Sequence, residues 1–137
     1  FHNMKKLIIY TDGGARGNPG PAATGIVIKD ENGKTINAFG EYLGEQTNNY
    51  AEYMALISGL KKAKELKADE VECLVDSKLV CEQLKGNWKV KEPTLQKLFV
   101  VAYNLASYFK KVTYRHIPRE RNKEADAEVN KVLDLNT

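Results

Sequence analysis

The sequence predicts an α/β domain in which a mixed sheet carries helices on its faces, and three observations point there. Three apolar, β-branched runs come first and in close succession, as the strands of a meander would. Further along, short apolar runs alternate with stretches of helical period, the pattern of parallel strands joined by crossover helices. At 137 residues and 42% hydrophobic composition, the chain can bury one core but is short for two.

The elements follow in order. Lys5 to Asp12 reads as the first strand, and Ala22 to Lys29 and Thr35 to Leu43 as two more, joined at Asp30-Glu31-Asn32-Gly33. Thr47-Asn48-Asn49 offers an N-cap, after which Tyr53, Leu56, Leu60 and Ala63 recur near helical spacing through about Leu66. Glu70 to Val75 is a short strand and Ser77 to Leu84 a short helix. Glu92-Pro93-Thr94 then opens a longer helix reaching about Tyr108. Val112 to Ile117 is the last strand, and Pro118 separates it from a final helix that Asn122 is placed to cap and that runs to about Leu133.

Composition narrows the function classes. No apolar run approaches the roughly 20 residues needed to cross a bilayer, which gives the expectation of a cytoplasmic chain without a membrane partner. Residues 4–137 read as one domain, and Phe1-His2-Asn3 as a remnant of the expression vector ahead of a natural start at Met4. Cys73 and Cys81 have neither CxxC nor histidine spacing, so a disulfide framework and a zinc site are set aside. The net charge of +3 is modest, but Lys85, Lys89 and Lys91 surround Trp88, and Arg115, Arg119, Arg121 and Lys123 cluster near the C-terminus.

Four acids occupy awkward places. Asp12 ends an apolar strand and Asp76 ends another; in parallel central strands these ends share one edge of the sheet, where open α/β sheets place ligands. Glu52 precedes Leu56 and Leu60 on a helix face expected to be buried, and Asp126 precedes Val129 and Leu133 in the same way. Singly, each also suits a turn, a cap or a helix N-terminus. Together they would repel, since like charges about 4 Å apart cost on the order of 4 kcal/mol at an effective dielectric near 20. An all-oxygen set without cysteine or histidine suits a hard cation, magnesium or manganese.

The segments YTDGGARGNPGPAATG, TNNYAEYMALISGL, LVDSKLV and HIPRERNKEADAEVNK, each bearing one of these acids, resemble the type 1 ribonuclease H family in their residues and order. The resemblance implies a five-stranded mixed sheet of order 3-2-1-4-5 with strand 2 antiparallel. It implies an endoribonuclease that hydrolyses the RNA strand of RNA/DNA hybrids with two divalent ions, leaving 5′-phosphate and 3′-hydroxyl ends. Asp12, Glu52, Asp76 and Asp126 would be the catalytic and metal-binding residues, with the hybrid as partner. No obligate protein partner is expected, and a free-standing chain of this length is expected to be monomeric, the alternative being a domain cut from a reverse transcriptase.

Substrate contacts are expected by motif position from Gly13, Gly14, Asn18, Thr47, Asn48 and Asn49. Turn and cap duty stands beside that reading for Asn18, Thr47 and Asn48. Gly13 and Gly14 are expected to let RNA approach and then to turn the chain into the second strand. Trp88 falls where some relatives carry a longer basic protrusion that grips the DNA strand, here reduced to Gly86 to Glu92. Many relatives also carry a histidine in the loop before the last aspartate. His116 instead sits at a strand end, which favours a structural role and leaves Arg119 or Glu120 in that loop.

Overall fold

The computed structural model describes residues 4–137, so the expectation about Phe1, His2 and Asn3 lies outside the described residues. The strands are β1 (Lys6–Ala15), β2 (Gly20–Lys29), β3 (Thr35–Gln46), β4 (Glu70–Val75) and β5 (Lys111–His116). The helices are α1 (Asn48–Glu65), α2 (Lys78–Leu84), α3 (Pro93–Ala106) and α4 (Lys123–Asn136), and a 3₁₀ turn at Arg119–Arg121 precedes the last. The sheet order is β3-β2-β1-β4-β5, with β2 antiparallel to both its neighbours and β1, β4 and β5 mutually parallel. No described helix is long and apolar enough to cross a membrane.

Local chemistry accounts for the helix starts. Thr47 Oγ1 accepts from the Tyr50 amide, Ser77 Oγ from Val80, and the Glu92 carboxylate from Leu95, each satisfying an N–H that a helix leaves without a partner. Asn122, expected to cap α4, makes no such bond. Its side chain is turned elsewhere, to the site described below.

The larger core lies between one sheet face and α1, built from Leu7, Ile9, Ile26, Ile28, Leu56 and Leu60. On the other face α4 closes a smaller cluster of Ala23, Val129 and Leu133. Cys73 and Cys81 are free and buried, and burial pushes both thiols up, which keeps them protonated and inert.

Strand ends differ from expectation in one informative way. β1 does not stop at Asp12; Gly13 and Gly14 continue the strand, paired with Thr24 and Ala23 of β2, and the chain turns only at residues 16–19. The glycines are therefore strand residues, and they mark where other backbone comes close. A Cβ on Gly13 would overlap the Ala51 carbonyl and the Glu52 amide nitrogen, and one on Gly25 would overlap the Ala125 carbonyl. Those two positions let α1 and α4 pack against the sheet backbone itself, which bulkier residues would forbid.

Gly14 is different, because a Cβ there would sit 3.7 Å from Val129 Cγ1, an ordinary contact. Gly25→Ala is therefore expected to destabilise the fold by about 1–3 kcal/mol or more. Gly14→Ala should stay within about 0.5 kcal/mol of the parent. Urea denaturation of the two variants side by side checks this; equal stabilities would contradict the packing argument.

Candidate active site

The site begins with a mismatch in strand length. β4 pairs with β1 only as far as Thr11 opposite Val75, whereas β2 accompanies β1 to Ala15. From Asp12 onward one edge of β1 is open, and its backbone groups need other partners. The Gly13 N–H donates to Glu52 Oε1 and the Ala15 N–H to Asn48 Oδ1 at 2.8 Å, both from α1. The Thr11 carbonyl accepts from Asn122 Nδ2 at 2.8 Å. Side chains replace the missing strand, and a notch opens beside Asp12.

The four acids meet at this notch. Asp12 lies on β1 and Asp76 immediately follows β4, while Glu52 descends from α1 and Asp126 from the first turns of α4. One carboxylate oxygen from each of Asp12, Glu52 and Asp76 lies within 4.8 Å of the other two. Asp126 stands outside that trio but near enough to Asp12 to act on its charge. Among the described residues, no Lys or Arg forms an ion pair with any of the four.

Uncompensated charge shows in the proton affinities. Burial, then the charges of Asp76 and Asp126, push the Asp12 carboxyl up to about 7. Burial and the Asp12 charge hold Glu52 well above its ordinary value, partly opposed by the Gly13 N–H. Such a set of hard oxygen donors, crowded and without a cation of its own, fits divalent metal ions. Here Asp12, Glu52 and Asp76 are the residues placed to hold one, with Asp126 beside them.

The surrounding cleft has a volume of about 430 Å³. Gly13, Gly14, Asn48, Asn49 and Arg119 line it. Asn18 and Thr47 line a neighbouring groove that Asn49 shares. Asn18 Oδ1 accepts from the Asn48 N–H at 3.0 Å at the start of α1, and Thr47 caps that helix, whereas the Asn48 side chain serves the Ala15 N–H of β1. The amide –NH₂ groups of Asn18, Asn48 and Asn49 donate no hydrogen bond among the described residues; Asn48 and Asn49 line the cleft and Asn18 the neighbouring groove.

His116 ends β5, outside the cleft lining, with Nε2 3.3 Å from the Asp76 carbonyl oxygen. Arg119, in the 3₁₀ turn, is the one of the pair that reaches the cleft.

Trp88 is half-exposed on a loop tied down from below. Gln83 Nε2 donates to the Lys89 carbonyl at 3.2 Å, and Gln83 Oε1 accepts from the buried Tyr53 hydroxyl at 2.6 Å. Gln96 Nε2 holds the Val90 carbonyl at 2.9 Å.

Two residues at the centre escaped the sequence reading. Asn122 is 1% exposed and also donates to Asp76 Oδ2 at 3.1 Å. Asn130 Nδ2 donates to Asp126 Oδ2 at 3.3 Å, one helical turn on. The spacing of Asn130 four residues after Asp126 was a local signal for that pair. For Asn122 the local signal was a cap, and it misled.

Fold and site together define an α/β domain whose sheet edge presents a carboxylate centre built for divalent cations. A family model described as reverse transcriptase-like matches residues 10–132. The ribonuclease H1 of Halobacterium salinarum superposes with a TM-score of 0.92 at 41% identity, covering 94% of this chain and 98% of that one. A ribonuclease H1 named LC11, solved in complex with an RNA/DNA hybrid, gives 0.90 at 46% identity over 95% and 98% of the two chains. The bifunctional protein Rv2228c of Mycobacterium tuberculosis is 48% identical over 94% of this chain, which spans only 36% of that relative's length. This chain belongs to the ribonuclease H family, a metal-dependent one, as the carboxylate cluster would lead one to expect.

The Asp12 carboxyl has a pH consequence. In the folded, metal-free chain it keeps its proton up to about 7, whereas the ordinary value is 3.8. Between those values the unfolded chain binds fewer protons, so stability is greatest below the lower one and declines as pH rises through the upper. For this one group the decline reaches about 4 kcal/mol at most. Urea denaturation in chelator from about pH 4 to about pH 8 is expected to show that fall, and Asp12→Asn to shrink it. Identical pH profiles for the two proteins would contradict it.

Proposed function

We propose that this chain is an endoribonuclease that hydrolyses the RNA strand of RNA/DNA hybrids, leaving 5′-phosphate and 3′-hydroxyl ends. The observation that carries the reading is the meeting of Asp12, Glu52 and Asp76 at one notch, with Asp126 beside Asp12, in a chain of this family. A relative 46% identical was solved holding an RNA/DNA hybrid, which supports the same substrate here.

Asp12, Glu52, Asp76 and Asp126 are assigned as the catalytic carboxylates, holding two Mg²⁺ or Mn²⁺ ions. When bound, such ions supply a water of lowered pKa and charge stabilisation for the attacking and leaving oxygens of an in-line displacement. The protein's own part is to fix the ligands. Glu52 is held through Oε1 by the Gly13 N–H and shares a hydrogen bond with Asp12, and its carboxylate is assigned to the ions and to the 2′-hydroxyl that distinguishes RNA from DNA. Gly14 and Asn49 line the cleft, where a bare backbone and a free amide suit a nucleic-acid strand. Asn18, Thr47 and Asn48 are assigned a double duty: their oxygens hold the start of α1 and the end of β1 while the asparagine amides are assigned to the strands. Arg119 is assigned an auxiliary contact to substrate in the cleft, and Trp88 with its lysines a contact to the DNA strand. His116, bonded to a backbone carbonyl outside the cleft, is assigned a structural role. The chain is taken to act as a monomer in the cytoplasm without an obligate protein partner.

Incubation with matched RNA/DNA, RNA/RNA and DNA/DNA duplexes, in magnesium, manganese or chelator, tests the proposal. Cutting confined to the RNA strand of the hybrid is expected, with loss of activity in chelator and in Asp12→Asn. Metal-independent cutting, or full activity in that variant, would overturn it. His116→Ala is expected to keep its rate within about tenfold, below the usual 10²-fold or greater loss of an acid–base group. Single-turnover cleavage measures the difference.

A further inference from the structure

We infer that Asn122 is a positioning residue for the carboxylate centre, bracing Asp76 against the open edge of β1. The inference rests on the metal reading above and concerns a residue outside the four acids. The amide of Asn122 has two N–H donors and both point at acceptors: the Thr11 carbonyl at 2.8 Å and Asp76 Oδ2 at 3.1 Å. Exchanging its oxygen and nitrogen would set an oxygen against two oxygens, so the orientation is fixed by its partners.

The main-chain carbonyl of Asn122 accepts from the Asp126 N–H at 3.1 Å. One buried residue thus ties together Thr11, which precedes Asp12 on β1, the Asp76 carboxylate beyond β4, and the start of α4 that carries Asp126. Three of the four acids are registered through it.

The alternative duty, capping α4, is not performed: no side-chain cap bond exists at this helix start. Instead Oδ1 is buried with no hydrogen-bond partner among the described residues, an arrangement that costs stability. A residue serving the helix alone would turn that oxygen to the free N–H groups of the first turn. The amide gives up that bond and donates to a carboxylate that would otherwise be free to swing in a cluster of like charge. Partners of this kind behind metal ligands are worth about 10- to 100-fold in metal affinity.

The test compares the parent chain with Asn122→Ala and Asn122→Ser by titration calorimetry with Mn²⁺, thermal unfolding in chelator, and hybrid cleavage at saturating Mn²⁺. The expected result is a loss of about 10-fold or more in Mn²⁺ affinity in each folded variant. The KM for hybrid should change by less than about threefold. Unchanged Mn²⁺ affinity with a lowered melting temperature would overturn the inference, as would failure of both variants to fold, because either marks a purely structural residue. If the parent itself bound no Mn²⁺, the proposed function would fail and this inference with it. A parent that binds and cleaves alongside unaltered variants would remove this inference alone.

Discussion

The structure turns on a sheet that ends unevenly. β4 stops at Val75 while β1 runs on to Ala15, and the backbone left exposed between them has to be satisfied without a neighbouring strand. Glu52, Asn48 and Asn122 do so from three sides. In doing so they bring a carboxylate from α1 beside the one on β1 and tie a third through an amide. The same obligation that completes the sheet assembles the site, so the carboxylate cluster is built from ordinary hydrogen-bond accounting plus close packing.

Close packing sets how near the helices come. Without a side chain at Gly13 or Gly25, α1 and α4 lie against bare backbone, and the acids on their first turns are carried into the notch from opposite faces of the sheet. The core beneath, Leu7, Ile9, Leu56 and Leu60, holds α1 there despite the repulsion above it. That repulsion is visible as raised proton affinity at Asp12 and Glu52. A metal-free chain stores this as a standing cost, and a bound cation would remove it; affinity for the ion and strain of the empty centre are two readings of one electrostatic fact.

Much of this was legible in the sequence. Acids at the ends of two apolar strands and two more on buried helix faces were each visible from local pattern, because strand period and helix period are local properties. The order of elements was legible for the same reason. The glycines after Asp12 were not: GG after an acid reads as a turn, and only the partner strand and the helix above show that the chain continues straight. Asn122 was misread because capping is the commonest task of an asparagine before a helix. Its true partners are 111 and 46 residues away, beyond anything spacing encodes. At Thr47 the cap was legible, whereas the bonds of Asn18 to the Asn48 N–H and of Asn48 to the Ala15 N–H span 30 and 33 residues and were not.

The hydrogen bonds that run from Tyr53 through Gln83 to Lys89, and from Gln96 to Val90, have a further consequence. They fasten the Trp88 loop to the helix that bears Glu52 and to the start of α3. The main chain at Lys89 and Val90 is therefore pinned to α2 and α3. A pinned loop has little conformational entropy to lose on binding and little reach with which to wrap a ligand. In the contact with the DNA strand proposed for this loop, the duplex has to fit the loop as it stands. Under that proposal, selection among duplexes would rest on shape more than on added ionic contacts.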